Sequence, residues 1–340
     1  MQTRHSVAPP LRSQARLAFL TTARVWTPTH VSAMDVRAGP PAHDSWQPNE
    51  MVTCDYVEVV PTGSSRKFHC VLASGLVVKV RYGANNGEVY GSVLATRLLW
   101  ALGFGADRVD PVRVRCQGCS SDPWHDRKRA TGEQVFDPAA IERKPAGHEM
   151  KTEPEGWAWP ELRLVAGVPN GASDAERDAL TLLAVFMQHT DNKRQQQRFL
   201  CLPGGMTEDG VCTLPFLFVH DVGLTFGRAS LWNRASTGSV NFGAWSSTPI
   251  WRDAGRCVGH LSESKTGTLK DPTVSEAGRR FLADLLVQLT DRQLRDLFDV
   301  ARVDRRGGHA NGFRPRPGVD EWVAAFKHKR DEVVLNHCPS

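Results

Sequence analysis

The stretch HTDNKRQQQRFLC, residues 189–201, sets an acid, an amide and a lysine between two apolar segments. Upstream, Ala179, Leu182, Leu183, Phe186 and Met187 repeat at helical intervals, and Ser173 with Glu176 has the spacing of a capping box. Downstream, RFLCL reads as a strand. Asp191 and Asn192 suit a polar turn that ends the helix. They equally suit the centre of a phosphoryl-transfer site, with Asp191 as base, Lys193 as phosphate cation and Gln196 as metal ligand.

Composition narrows the classes. With 41% hydrophobic and 23% charged residues over 340 positions, the chain is long enough to bury a substantial core. Nowhere do about eighteen uninterrupted apolar residues occur, so no membrane span is expected. The excess of 42 Lys and Arg over 37 Asp and Glu is spread along the chain, without a basic block to mark a nucleic-acid surface. Eight cysteines are too sparse for a disulfide scaffold. The closest pair, Cys116 and Cys119 in CQGC, is open to zinc, to a disulfide or to ordinary free thiols, the last being the expectation. Residues 1–50, rich in Pro, Ala, Arg, Ser and Thr, lack hydrophobic periodicity and read as disordered. Their short apolar core makes no clear secretory signal, which sets the expectation of a cytoplasmic location.

Working outward from residue 189, the order of elements becomes informative. KFHCVLA and LVVKVRYG form a hairpin turned at Ser74 and Gly75. EVYGSVLATRLLWALG predicts an amphipathic helix stopped by Gly103. DPVRVRC and AAIERK are further strands. From Ser173 helices dominate: Phe281, Leu282, Leu285, Leu286 and Leu289 make one stripe, Thr290 and Gln293 cap the next helix, and Trp322, Phe326 and Lys329 mark the last. Tryptophans 157, 159, 232, 245 and 251 are expected to pack under loops.

Moving a phosphoryl group from ATP needs a lid over the phosphates, a lysine held by a glutamate, a carboxylate for the attacking hydroxyl, and metal ligands. Candidates occur in that order. PTGSSRKF, residues 61–68, offers Gly63 for close approach, Ser64 and Ser65 as donors, and Lys67 as added charge. Lys79 stands in the apolar run LVVKV, where an unpaired ammonium is costly, and Glu88 opens the next helix as its partner. Asp191, Lys193 and Gln196 follow. Asp221 and Gly223 in HDVG make an Asp-x-Gly element, the carboxylate to chelate magnesium and the glycine to permit a sharp turn. His189 and His220 are expected to be structural hydrogen-bonding groups and not catalysts.

By GSSRKF, VVKV, the Glu88 helix, IERK (141–144), HTDNKRQQQ and HDVG, the chain resembles the protein-kinase superfamily over residues 56–227, particularly its atypical HipA-like branch and the phosphatidylinositol-type lipid kinases. The resemblance implies an α+β, two-lobed fold, with a β-rich N-lobe carrying one helix at 51–150 and a mainly helical C-lobe at 151–340. It implies Lys79 on the α-phosphate, Glu88 as its orienter, Asp191 as catalytic base, and Gln196 with Asp221 as metal ligands. ATP, Mg2+ and a hydroxyl acceptor, a protein or a small molecule, are the implied partners. Gln196 stands where such kinases carry Asn, HTD replaces HRD, and the lid lacks a full GxGxxG. These departures make a pseudokinase, a nucleotide-binding or purely structural interaction module without turnover, the alternative.

Overall fold

The computed structural model describes residues 11–41, 45–165, 171–227, 239–262, 266–307 and 316–339. Residues 11–41, expected to be disordered, are built into the fold. Strand β1 (Leu11–Arg12) runs parallel to Thr152 and Glu153, and helix α1 (Ser13–Thr22) follows. Phe19, Leu20, Ala23, Val25, Val31 and Val36 are buried in the main core. Arg16 fixes the segment through both oxygens of Glu161, at 2.8 and 2.9 Å. These residues show no local period because distant parts of the chain, not a helix face of their own, bury them.

The next elements are β2 (Met51–Val57), β3 (Lys67–Val71), β4 (Val77–Tyr82), α2 (Glu88–Ala101), β5 (Arg108–Gln117) and β6 (Glu133–Arg143). The strands close into a barrel in the order β2-β3-β4-β6-β5, antiparallel throughout except where β2 meets β5. Side chains alternate between the two faces of a strand. Phe68, Val78, Val80 and Ile141 therefore fill the interior, while Lys67, Lys79 and Arg81 fall on the opposite face. The hairpin turns at Gly75, with φ +83°, and α2 stops at Gly103, where a Cβ would lie 2.2 Å from the Thr27 carbonyl oxygen. Helix α2 packs on β5 and β6 and on α6 below, and its apolar residues belong to the main core.

Beyond the barrel come β7 (His148–Met150), β8 (Thr152–Glu153), α3 (Asp174–Phe186), β9 (Gln197–Cys201), β10 (Pro215–Val219), α4 (Phe242–Ser247), β11 (Trp251–Asp253), β12 (Val258–Gly259), α5 (Glu276–Leu286), α6 (Asp291–Val300) and α7 (Val319–Leu335). The architecture is thus a mixed one of sheets and helices. Both expected capping boxes form: Glu176 N donates to Ser173 Oγ at 3.3 Å and Gln293 N to Thr290 Oγ at 3.2 Å. Trp157, Trp159, Trp245 and Trp251 are buried as packing residues; Trp232 lies outside the described residues. Among the described residues no helix is long and apolar enough to cross a membrane.

The cysteines depart from expectation. All eight are paired, as Cys54–Cys70, Cys116–Cys119, Cys201–Cys212 and Cys257–Cys338. Cys116 and Cys119 bond to one another, which removes the two thiolates a zinc ion would need. Sequence spacing alone does not bring Cys54 to Cys70 or Cys257 to Cys338; strand pairing and packing of the C-terminal residues do.

Candidate functional site

Helix α3 ends at Phe186, and Gln188, with φ +51°, turns the chain into the polar loop. Asn192 is fully buried and makes four bonds there. Its Nδ2 donates to the carbonyls of His189 (2.8 Å) and Leu269 (3.1 Å), and its Oδ1 accepts from the amides of Thr268 (2.8 Å) and Leu269 (2.9 Å). One amide thus satisfies the backbone of two loops and holds Asp191 and Lys193 on either side of it.

The chain then enters the antiparallel β9–β10 hairpin, with Gln197 opposite Val219. His220 N donates to Gln196 O at 2.7 Å, one step past the last strand pair. The hairpin therefore sets Gln196 beside the turn that carries Asp221, and separation along the chain does not matter. Asp221 itself takes φ +53°. The glycine of this Asp-x-Gly element serves close packing, not the sharp turn expected of it. A Cβ on Gly223 would lie 2.8 Å from Glu88 Cγ and 2.9 Å from Ser92 Oγ, and one on Gly91 would lie 2.4 Å from Gly223 O. Helix α2 and the Asp221 turn touch through this pair of glycines.

Three loop residues named in the sequence, Asp191, Lys193 and Gln196, lie in contact. Gln196 Nε2 donates to Asp191 Oδ2 at 2.8 Å, and Lys193 Nζ lies 3.7 Å from the same oxygen. Gln196 Oε1 is buried without a hydrogen-bond partner. His189 is buried with both ring nitrogens unbonded, and burial pulls its pKa down to about 4. The ring is neutral and enclosed, but it makes none of the hydrogen bonds expected of it.

The cation pairing differs from expectation. Lys79 pairs with Glu142, its cross-strand neighbour on β6, and not with Glu88. Glu88 pairs instead with Arg81, two residues along β4 and on the same face. Arg81 is wholly buried and also reaches Glu142 (2.9 Å), Asp221 (2.6 Å) and Ser65 Oγ (3.2 Å). Burial alone lowers its pKa, yet Asp221 and Glu142 offset this and hold the guanidinium charged. Conversely, burial raises the carboxyl of Asp221, but Arg81, Lys79, His220 and Lys67 keep it well below the usual carboxylate range. Ser65 is turned inward and donates to Glu88 at 2.8 Å, while Ser64 is exposed. Neither is placed to donate into the cavity.

That cavity, of about 900 Å3, lies between the barrel and the hairpin. Gly63, Lys67, Lys79, Lys193, Gln196 and Asp221 line it; Asp191, Ser64, Ser65 and Glu88 do not. Seven lysines and arginines line it against three acids, Glu142, Glu155 and Asp221. A space of this size can hold a small-molecule ligand, and most of its cations are already paired: Lys79 with Glu142, Arg143 with Asp110, Lys144 and Arg198 with Glu149, and Lys193 with Asp191. A smaller cavity of about 460 Å3, by Trp159, Arg177 and Thr268, shares none of these groups.

Arg81, Glu142 and Asp107 are the residues that sequence reasoning missed. Glu142 lies within the quoted IERK without a role assigned to it, and Arg81 stands two positions past Lys79, where strand alternation returns it to the same face. Asp107 pairs with His220, and with Glu142 these offer ligand atoms within 4.8 Å of one another. The acids are already engaged by Lys79, Arg81 and Lys144, the last 3.8 Å from Asp107.

No protein-family model matches the chain, and no curated protein matches it. Among solved structures, the crystal structure of a Helicobacter pylori proinflammatory kinase, CtkA, aligns with 85% of this chain and 98% of that chain, at 7% sequence identity and a TM-score of 0.43. At that identity and score the likeness decides neither fold family nor activity.

Proposed function

We propose that this chain is a kinase-like phosphotransferase that uses ATP with magnesium to phosphorylate a hydroxyl of a protein or a small molecule. One observation carries the reading: the β9–β10 hairpin brings Gln196 and Asp221 to one wall of a basic cavity, with Asp191 bonded to Gln196 behind it and the Lys67 and Lys79 strands opposite. In this reading residues 51–150 belong to the N-lobe and 151–340 to the C-lobe of a two-lobed fold, and residues 11–41 bond to both, Trp26 Nε1 donating to Leu102 O and Leu11 N to Lys151 O.

Asp191 orients the acceptor hydroxyl and takes its proton, and Lys193 beside it balances charge at the transferred group. The pairing of Arg81 with Glu88 and Asp221 ties α2 to the turn that presents the carboxylate, and Arg81 takes the partnership with Glu88 that was expected of Lys79. For magnesium, the chemistry of the donors fits. Gln196 Oε1 is a buried, unbonded oxygen, and the Asp221 carboxylate is held ionised on the same cavity wall. A bound Mg2+ would neutralise phosphate charge at these two ligands.

The alternative, a nucleotide-binding module without turnover, is favoured by a specific contact: Arg81 already occupies one oxygen of Asp221. Incubation with γ-labelled ATP, magnesium and a mixture of candidate acceptors separates the two. Label transfer by wild type and its loss in Asp191→Asn support the phosphotransferase; nucleotide binding with no transfer or hydrolysis supports the module.

Four disulfides that consume every cysteine favour an oxidising compartment over the cytoplasm expected from the N-terminal residues. A phosphotransferase placed there meets its acceptor outside the reducing cytosol.

A further inference from the structure

Three cations project from the outer face of the β3–β4 hairpin, and their surroundings are unequal. Lys79 is committed to Glu142, and Arg81 to Glu88, Glu142 and Asp221. Lys67 opens β3, is only 6% exposed, and lines the cavity. No carboxylate lies within 4 Å of its ammonium among the described residues. Its register partner on β4 is Arg81, so two cations stand directly opposite one another across an antiparallel pair, an unfavourable arrangement without an anion nearby.

The lid loop sits on this ammonium. Gly63 has φ +90°, and a Cβ there would lie 2.9 Å from Lys67 Nζ. The groups around Lys67 are Arg81 and Lys79 on β4, Glu142 on β6, Asp221 on its turn, and the Trp124 ring at 6.0 Å. Burial, then Arg81, then Lys79 disfavour its charge; Asp221 and Glu142 only partly offset them, leaving its pKa at about 8. A buried cation so poorly compensated is stabilised most by an anion arriving from the cavity.

We propose that Lys67, and not Lys79, is the cation that contacts the phosphate chain at this site, while Lys79 and Arg81 act as fixed counter-ions that position Glu142, Glu88 and Asp221. The assignment rests on the ATP-binding reading given above. It divides between three side chains what a single lysine would otherwise do: Arg81 tethers α2, Lys79 neutralises Glu142, and Lys67 meets the ligand beneath Gly63.

The test is calorimetric titration of Mg-ATP into wild type, Lys67→Met, Lys67→Arg and Lys79→Met at pH 7 and pH 9, with thermal melting of each variant. Wild-type affinity is expected to fall about tenfold between pH 7 and 9 as Lys67 loses its proton. Lys67→Arg, charged throughout, should bind at pH 7 like wild type and hold that affinity at pH 9. Lys67→Met should bind at least tenfold more weakly at pH 7 with little change in melting temperature. Lys79→Met should melt lower, because Glu142 loses a partner, yet keep most of its affinity. Two results overturn the assignment: Lys67→Met binding like wild type, or wild type and Lys67→Arg showing the same pH dependence. The second stands even where Lys67→Met does not fold. Wild type that binds no nucleotide at either pH refutes the ATP reading itself, and is thereby told apart from a failure of Lys67 alone.

Discussion

Gln196 gives its amide nitrogen to Asp191 at 2.8 Å and keeps its carbonyl oxygen buried and unbonded. The side chain thus holds the proposed base with one end and leaves a hard oxygen donor at the other. Gln196→Leu removes both. Turnover is expected to fall at least tenfold, which corresponds to about 1.4 kcal/mol of transition-state stabilisation. Folding stability should change by no more than about 1 kcal/mol, because an unsatisfied oxygen leaves together with the bond. Single-turnover kinetics with urea melts of the same protein check this; a variant that turns over like wild type contradicts the role.

Gly91 tests the contact between α2 and the Asp221 turn. Alanine at a helix interior is favoured over glycine by about 1 kcal/mol. Here its Cβ would lie 2.4 Å from Gly223 O, a backbone atom that cannot turn aside. Overpacking of this kind costs about 1–3 kcal/mol, so the clash is expected to win. Gly91→Ala should be destabilised and should bind nucleotide more weakly, whereas Gly243→Ala, where the nearest atom to the new Cβ stands 3.7 Å away, should leave binding unchanged.

His189 predicts a pH dependence of stability. Its folded pKa, about 4, lies below the ordinary 6.5, so between these values the unfolded chain binds the extra proton. Stability from this residue is therefore complete above pH 6.5 and is lost as the pH falls towards 4. Between pH 7 and 5 the loss is about 2 kcal/mol. Urea unfolding of wild type and His189→Phe at the two pH values measures it: the difference between the proteins should change by that amount, and a constant difference contradicts the neutral, enclosed ring.

The disulfides are expected to carry much of the stability, in proportion to the chain they close. Cys257–Cys338 spans 81 residues and Cys116–Cys119 only 3. Loop-closure entropy gives about 4.5 kcal/mol for the first and about 1.6 kcal/mol for the second. Protein from an oxidising expression host, denatured without reductant or alkylating agent, should show no titratable thiol, and Cys257→Ser should melt well below Cys116→Ser. Eight free thiols with an unchanged melting temperature contradict the pairing.

Local patterns told most where the chemistry is local. The Ser173 and Thr290 caps, the Ser74–Gly75 turn, the α2 stop at Gly103 and the grouping of Asp191, Lys193 and Gln196 all follow from residues close in sequence. Long-range pairing is where reading the chain failed. Lys79 and Glu88 follow one another in chain order, strand before helix, but the β4–β6 register puts Glu142 opposite Lys79 and leaves Glu88 to Arg81. Residues 11–41 carry no period of their own because the helices and the β9–β10 hairpin bury them. The disulfides are set by the same tertiary contacts. Gly223 was legible as important and misread as to why, since its need is for space against Glu88 and Ser92, which no sequence pattern shows.

The most direct test of the central claim is thermal stabilisation by ATP with magnesium, measured on wild type, Asp221→Ala and Asp191→Ala under non-reducing conditions. A ligand that binds the folded state must raise its stability. Wild type should melt higher with Mg-ATP, Asp221→Ala should lose that shift, and Asp191→Ala should keep it while losing turnover. No shift in any of the three, with all of them folded, would contradict the account.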